Sequence, residues 1–178
     1  MDLLDFDDPD LYFERAEDPD VTRLIALASV RYGTKAAEQA LRDALGLSPD
    51  SLLVLVALYR YYYYQHNLES ARAIGERALG VVSEQLGLSA DVPPGCDELG
   101  AAFRRAPAAA RFYLLTRKAL GYLSLRLGDW GEARSQLTAV AEFDHHDRLG
   151  CKLLLGYCDQ HPANATPSEP FNVNSTSA

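Results

Sequence analysis

The sequence predicts an all-α fold, a short stack of helical hairpins, and three observations carry that expectation. Apolar residues recur at helical spacing along the chain, with no strand-like alternation. A shift of 34 residues places Leu24 on Leu58, Ala37 on Ala71, Ala44 on Ala78 and Leu45 on Leu79. A further shift of 62 places Leu58 on Leu120, Asn67 on Asp129, Leu68 on Trp130, Ala71 on Ala133 and Arg72 on Arg134. The excess of the second shift over the first leaves room for a proline loop and one extra short helix. At 178 residues, 48% hydrophobic and 24% charged, the chain has the composition of an ordinary globular domain with enough length to bury a core.

Each element follows in order. Residues 1–17 read as an acidic arm: positions 1–20 hold nine acids and one base, Arg15, which leaves sixteen acids and sixteen bases for the rest. Helices are expected at about 20–31 and 35–46. In "SPDS", residues 48–51, Ser48 and Pro49 mark the start of the next helix, at about 51–65. That helix ends in "LYRYYYYQHN", five tyrosines in six positions, whose side chains point all the way round at about 100° per residue. Such a helix is either buried on most sides or offers part of its surface to a partner. Tyr59 and Tyr62 share a face with Leu55 and Leu58 and are expected in the core; Tyr61 is left unassigned.

A helix at about 68–87 comes next, then "LSADVPPGCDE" at 88–98, a loop because its paired prolines break any helix. Helices follow at about 98–105 and 108–127. Gly128 and Asp129 in "LGDW" separate the last of these from another at about 130–142. A final helix at about 147–159 reads as a cap on the stack. It would turn Leu149, Leu153 and Leu154 inward and Arg148, Lys152 and Asp159 to water. From His161 to the end the chain is polar, proline-containing and aperiodic, so 161–178 is expected to be a flexible tail.

A unit of about 34 residues with two helices resembles the tetratricopeptide repeat family. The units fall at 18–51, 52–85 and 114–147. Leu24, Ala37, Leu41, Ala44 and Pro49 match the family pattern in the first, and Leu55, Leu58, Tyr62, Ala71 and Ala78 in the second. Leu120, Gly121, Ala133 and Leu137 match in the third, with Gly128, Asp129 and Trp130 at its turn. The resemblance implies a short α-solenoid over residues 18–160, with the inserted helix and the terminal cap added. Ile25 and Tyr59 stand where the family has small residues, and Gly75 where it has a large one. Arg117 and Ser124 replace apolar or aromatic residues. These departures predict that the second unit packs its helices further apart or slips in register. Gly121 and Ala133 should let their helices approach closely.

Composition also bounds function. A neutral body behind an acidic arm disfavours nucleic-acid binding. No apolar run approaches the roughly 20 residues that span a bilayer, and "MDLLDFDDPD" lacks the basic and apolar regions of a secretory signal, so a cytoplasmic protein is expected. Three cysteines argue against a disulfide framework. No phosphate-binding loop, dinucleotide fingerprint, H-E-x-x-H or G-x-S-x-G is present, so no enzymatic activity and no cofactor are expected. Fourteen arginines against three lysines suggest a GC-rich bacterial source.

The resemblance implies a binding groove lined by the first helix of each unit. Carried over, its positions are Pro19, Thr22, Ala26, Ser29 and Val30, then Leu53, Val56, Arg60, Tyr63 and Tyr64, then Leu115, Lys118, Tyr122, Leu125 and Arg126. Arg60, Tyr63, Tyr64, Lys118, Tyr122 and Arg126 are therefore the candidate partner-binding residues. Tyrosine and arginine anchor interfaces well, and a groove with three cations and no acid should attract an acidic or C-terminal segment. The family's carboxylate clamp does not carry over, because Thr22 and Ala26 stand where it needs lysine and asparagine.

Two features keep two readings each. Residues 145–161 gather His145, His146, Cys151, Cys158 and His161, either as metal ligands or as packed cysteines with solvated histidines. The arm, alternating acids with Leu3, Leu4, Phe6, Leu11, Tyr12 and Phe13, either occupies the groove or is solvated. The expected function is a protein-interaction adaptor or chaperone-like assembly factor. The alternatives are a metalloenzyme assembly factor using the C-terminal Cys and His, and a structural homodimer.

Overall fold

The computed structural model describes residues 18–89 and 94–161; the acidic arm and the segment after His161 lie outside them. Among the described residues there are eight α-helices and no strand. They are α1 (Pro19–Val30), α2 (Lys35–Leu47), α3 (Leu52–Tyr64), α4 (Leu68–Leu86), α5 (Cys96–Arg105), α6 (Pro107–Leu127), α7 (Trp130–Ala141) and α8 (Cys151–Gln160). The fold is all-α, as the periodicity predicted.

Local chemistry sets most of these boundaries. Asp18, Thr34, Ser51, Asn67 and Asp129 each accept a hydrogen bond from a backbone N–H in the first turn of the helix that follows. Each bond satisfies a donor that a helix start leaves without a partner. Gly87 and Gly128 close α4 and α6 in the left-handed conformation, at φ of 65° and 78°.

Three expected boundaries move. Ser48 is the C-cap of α2, and Ser51, whose hydroxyl accepts from the Val54 N–H, starts α3 instead. The stretch 88–98 is not all loop, since α5 begins at Cys96. Helix α8 starts at Cys151 rather than near 147, because Asp147 and Gly150 both have positive φ. The turn is fixed by Asp144 and Asp147, whose carboxylates accept from the N–H groups of Leu149 (2.6 Å) and Lys152 (3.0 Å). Cys151 and Cys158 are fully buried, Leu149 and Leu154 pack against the core, and Arg148, Lys152 and Asp159 are exposed as expected; Leu153 is 70% exposed, against the expectation that it faces inward.

The helices pack as pairs, α1 with α2, α3 with α4, and α6 with α7. The second helix of each pair also packs on the next helix beyond its pair: α2 on α3, α4 on α6 and α7 on α8. Helix α5 packs on α6, and α8 touches α6 as well as α7. Two apolar clusters fill the interior, one around α1–α4 and one from α3 and α4 through α8. Each fully buried leucine, such as Leu55, Leu58, Leu120 or Leu137, contributes about 1.5–3 kcal/mol through removal from water.

The size departures at Tyr59 and Gly75 compensate one another. Tyr59 is buried against α4, where Gly75 supplies no side chain. A Cβ on Gly75 would lie 2.9 Å from Leu120 Cδ2 and 3.6 Å from Tyr59 Cδ2. A large residue on one helix and none on the other accompany close contact among α3, α4 and α6. Gly121 behaves as predicted: an added Cβ would meet Leu137 Cγ at 2.7 Å and the Ala133 carbonyl oxygen at 3.4 Å. Arg117, unexpected in an apolar position, is 1% exposed. Its Nε donates to the Tyr113 hydroxyl (2.5 Å) and its Nη1 to Gln136 Oε1 (2.9 Å). Gln136 in turn donates to Glu132 Oε1 at 2.7 Å.

Candidate binding face

The tyrosine run of α3 divides by helix face. Tyr59, Tyr61 and Tyr62 are buried, Tyr63 is half-buried and Tyr64 is 42% exposed. Two of the buried rings have a polar partner at the edge. The Tyr61 hydroxyl donates to the Thr34 carbonyl and the Tyr62 hydroxyl to Glu38 Oε1, both at 3.0 Å, which ties α3 to the first pair. The Tyr59 hydroxyl is buried and has no hydrogen-bond partner among the described residues.

The other rings form a continuous aromatic layer across α3 and α6. Tyr59 stacks on Tyr63 (6.1 Å between centroids, 11° between planes), and Tyr63 meets Tyr64 edge-on at 5.4 Å and Tyr122 at 6.4 Å. Burial and a hydrogen bond with Tyr122 push the Tyr63 phenol up to about 12, and the Arg126 charge works against that rise. Burial pushes Tyr59 higher still. The structure thus joins four of the six expected residues: Tyr63, Tyr64, Tyr122 and Arg126. Tyr122 is the base of the layer rather than its surface, being 8% exposed.

Arg60 sits one step away on α3, half-buried, and its charge lowers the phenol of Tyr32, which burial and Tyr64 raise. Tyr32, in the turn after α1, is 51% exposed and meets Tyr61 at 5.9 Å and Tyr64 at 6.4 Å. Sequence reasoning missed Tyr32, because it lies past the helix that supplies the groove positions; a lone aromatic in a short turn was the available signal. Lys118 is half-buried on α6, within electrostatic reach of Cys151. There its charge opposes the burial that pushes the Cys151 thiol up to about 11. The remaining expected positions differ by pair. Those on α1 are all exposed, whereas Leu125 on α6 is fully buried in the core cluster that holds Cys151 and Cys158.

Charge on this face is one-sided. Helices α3 and α6 contain no Asp or Glu and carry Arg60, Arg111, Arg117, Lys118 and Arg126. The ion pairs among the described residues fall on Arg23, Arg42, Arg72, Arg77 and Arg134, and none falls on Arg60, Lys118 or Arg126. The Nε of Arg126 is buried without a partner among the described residues.

The C-terminal cysteines and histidines do not converge. Cys151 and Cys158 are buried, His145 and His146 are exposed, and His161 stacks on Trp130 at 4.1 Å rather than opening a tail. Among the described residues no three of His, Cys, Asp and Glu are grouped to hold a metal ion. No described helix is long and apolar enough to cross a membrane.

A chain of Azotobacter chroococcum mcd 1, named as an uncharacterized 19.8 kDa protein in the nifW 5′ region, is 43% identical over 166 residues, with 92% of each chain covered. The chain belongs to that protein's family. No family model matches it, and no solved structure does.

Proposed function

We propose that the chain is a binding module, a tetratricopeptide-like stack of three helical hairpins that captures an acidic segment of another protein across α3 and α6. It would serve as an adaptor or a chaperone-like assembly factor, without catalysis of its own. One observation carries this reading: the cations of α3 and α6 have no acid on their own helices, and Arg60 and Arg126 pair with no described carboxylate. On the second helix of each pair, by contrast, the arginines do find carboxylates. Unpaired cations beside Tyr32, Tyr63 and Tyr64 suit an anionic partner with some apolar surface, since tyrosine offers large area at small entropy cost. The relative's name sets its coding region 5′ of nifW. Proteins encoded beside this chain in its own genome are therefore the first partners to test.

The test is titration calorimetry of the purified full chain against each such product. Arg60→Glu with Arg126→Glu should weaken a true partner at least roughly ten-fold and flatten its salt dependence, with helical circular dichroism unchanged. Lys118→Glu, within electrostatic reach of Cys151, should do less. Binding indifferent to all three charges would end this reading.

A further inference from the structure

Between α3, α4 and α6 lies an apolar crevice with about 30 Å³ of free space. Its walls include Val56, Tyr59 and Arg60 from α3, Gly75 from α4, and Leu115 and Ala119 from α6. Val56, Arg60 and Leu115 are half-buried, whereas Gly75, Tyr59 and Ala119 are buried, so the opening is on the side of Arg60. The lining makes no unmet polar demand at Thr116, whose hydroxyl donates to the Phe112 carbonyl at 2.8 Å. Closing this space from α4 would require Leu120 to shift, since a Cβ on Gly75 would lie 2.9 Å from its Cδ2.

We infer that this crevice is the anchor pocket for one aliphatic side chain of an acidic segment, and that a carboxylate next to that side chain pairs with Arg60. The inference rests on the capture reading and adds the chemistry of the captured segment. Apolar walls exclude a charged or amide side chain, which would lose its hydration without a partner. The charged group at the rim is a guanidinium, and neither α3 nor α6 offers an acid to neutralise it. Charge complementarity therefore calls for an acidic neighbour to the anchor, and the free volume, close to that of one methyl group, takes the tip of an aliphatic side chain and not a ring.

The probes are fluorescein-labelled acidic heptapeptides, Glu and Asp throughout except for a central Leu or Gly, titrated by anisotropy into the full chain at low salt. The Leu peptide should bind about four-fold more tightly than the Gly peptide, the gain expected from burying about one methyl group. Leu115→Trp, at the half-buried rim, should bring the ratio to about one. Val56→Trp provides the same block if the first variant misfolds. Arg60→Gln should weaken both peptides alike. Equal binding of Leu and Gly peptides, or a ratio untouched by both blocking variants, overturns the anchor while leaving charge-driven capture standing. Failure of both peptides at millimolar concentration sinks the two readings together. A mass that rises with concentration in light scattering, and falls in Leu115→Trp, would assign the crevice to a second copy of the chain and overturn the foreign segment.

Discussion

The first helices of the second and third pairs, α3 and α6, handle charge in the opposite way to the second helices α2, α4 and α7. On the second helices the arginines stand beside carboxylates. Arg42 pairs with Glu38, Arg72 with Glu69, Glu76 and Asp129, Arg77 with Asp50, and Arg134 with Asp159. On α3 and α6, none of Arg60, Lys118 and Arg126 pairs with a described carboxylate, and their helices contain no acid. Surface pairs on the second helices are matched where they stand and leave nothing over for a partner. On the proposed reading, the first helices hold positive charge for a partner, with Arg60 and Arg126 near the tyrosine layer.

The sharpest way to break this contrast is at Arg117, the cation of α6 that is buried outright. Gln136→Leu removes the acceptor for its Nη1 inside the core. A hydrogen bond to a charged group that is lost with its donor still buried costs about 1.5–3 kcal/mol, so urea denaturation should show a loss of roughly 2 kcal/mol. A loss under about 0.5 kcal/mol would mean that Arg117 behaves like any surface arginine and that the two helix classes do not differ in this respect.

The second test uses pH, which the two classes should feel at opposite ends of the scale. In the folded chain the phenols of Tyr59 and Tyr63 titrate above their unfolded value of about 10, Tyr63 at about 12, because burial disfavours the phenolate. A group raised on folding stabilises fully below its unfolded pKa and loses that contribution as pH climbs through the folded one. Stability should therefore fall between about pH 10 and 12, and Tyr63→Phe should remove on the order of 2 kcal/mol of that fall. On α2, Glu38 is held below the ordinary carboxylate range, chiefly by its hydrogen bond from Arg42 and also by Tyr62. Its contribution is present above its unfolded pKa and lost as pH drops below about 4.5, and being near the surface it should be the smaller effect. Urea midpoints measured at about pH 3, 7, 10 and 12 for Tyr63→Phe and Glu38→Gln would compare the two directly. An alkaline limb unchanged in Tyr63→Phe would contradict the burial of the aromatic layer.

How much of this is legible in the sequence depends on how far apart the interacting residues lie along the chain. Helix periodicity and caps are local, so α2, α4, α6 and α7 stand within a residue or so of where the spacing predicts them. Tyr59 and Gly75 are each recognisable as departures, but their compensation involves Leu120 on a third helix, which no single repeat contains. The repeat pattern treats the flank of α6 as open. Helix α8 packs there, Leu125 is core and the charge of Lys118 reaches Cys151. Helix α8 starts later than expected because two aspartates hold the preceding turn in a non-helical conformation, a choice that hydrophobic spacing does not encode.

The smallest expected effect tests the other side of the contrast. Arg72 is near three carboxylates, at 2.9 Å from Glu69, 3.9 Å from Glu76 and 3.6 Å from Asp129, and the last of these links α4 to the third pair. In water such pairs are screened and their side chains lose freedom when held, so Arg72→Ala should cost about 0.5 kcal/mol or less. Asp129 separates pairing from capping, since its carboxylate also accepts from the Glu132 N–H at the start of α7. Asp129→Asn keeps a good cap and loses only the charge, so it should match Arg72→Ala; Asp129→Ala loses both and should cost about 1 kcal/mol more. Thermal melts at low and high salt would resolve the three. If the cap variant alone matters, the carboxylates of the second helices contribute little to stability, and α3 and α6 forgo little by lacking them. The absence of acids from those two helices then costs the fold almost nothing, and what it leaves in place is an uncompensated positive face.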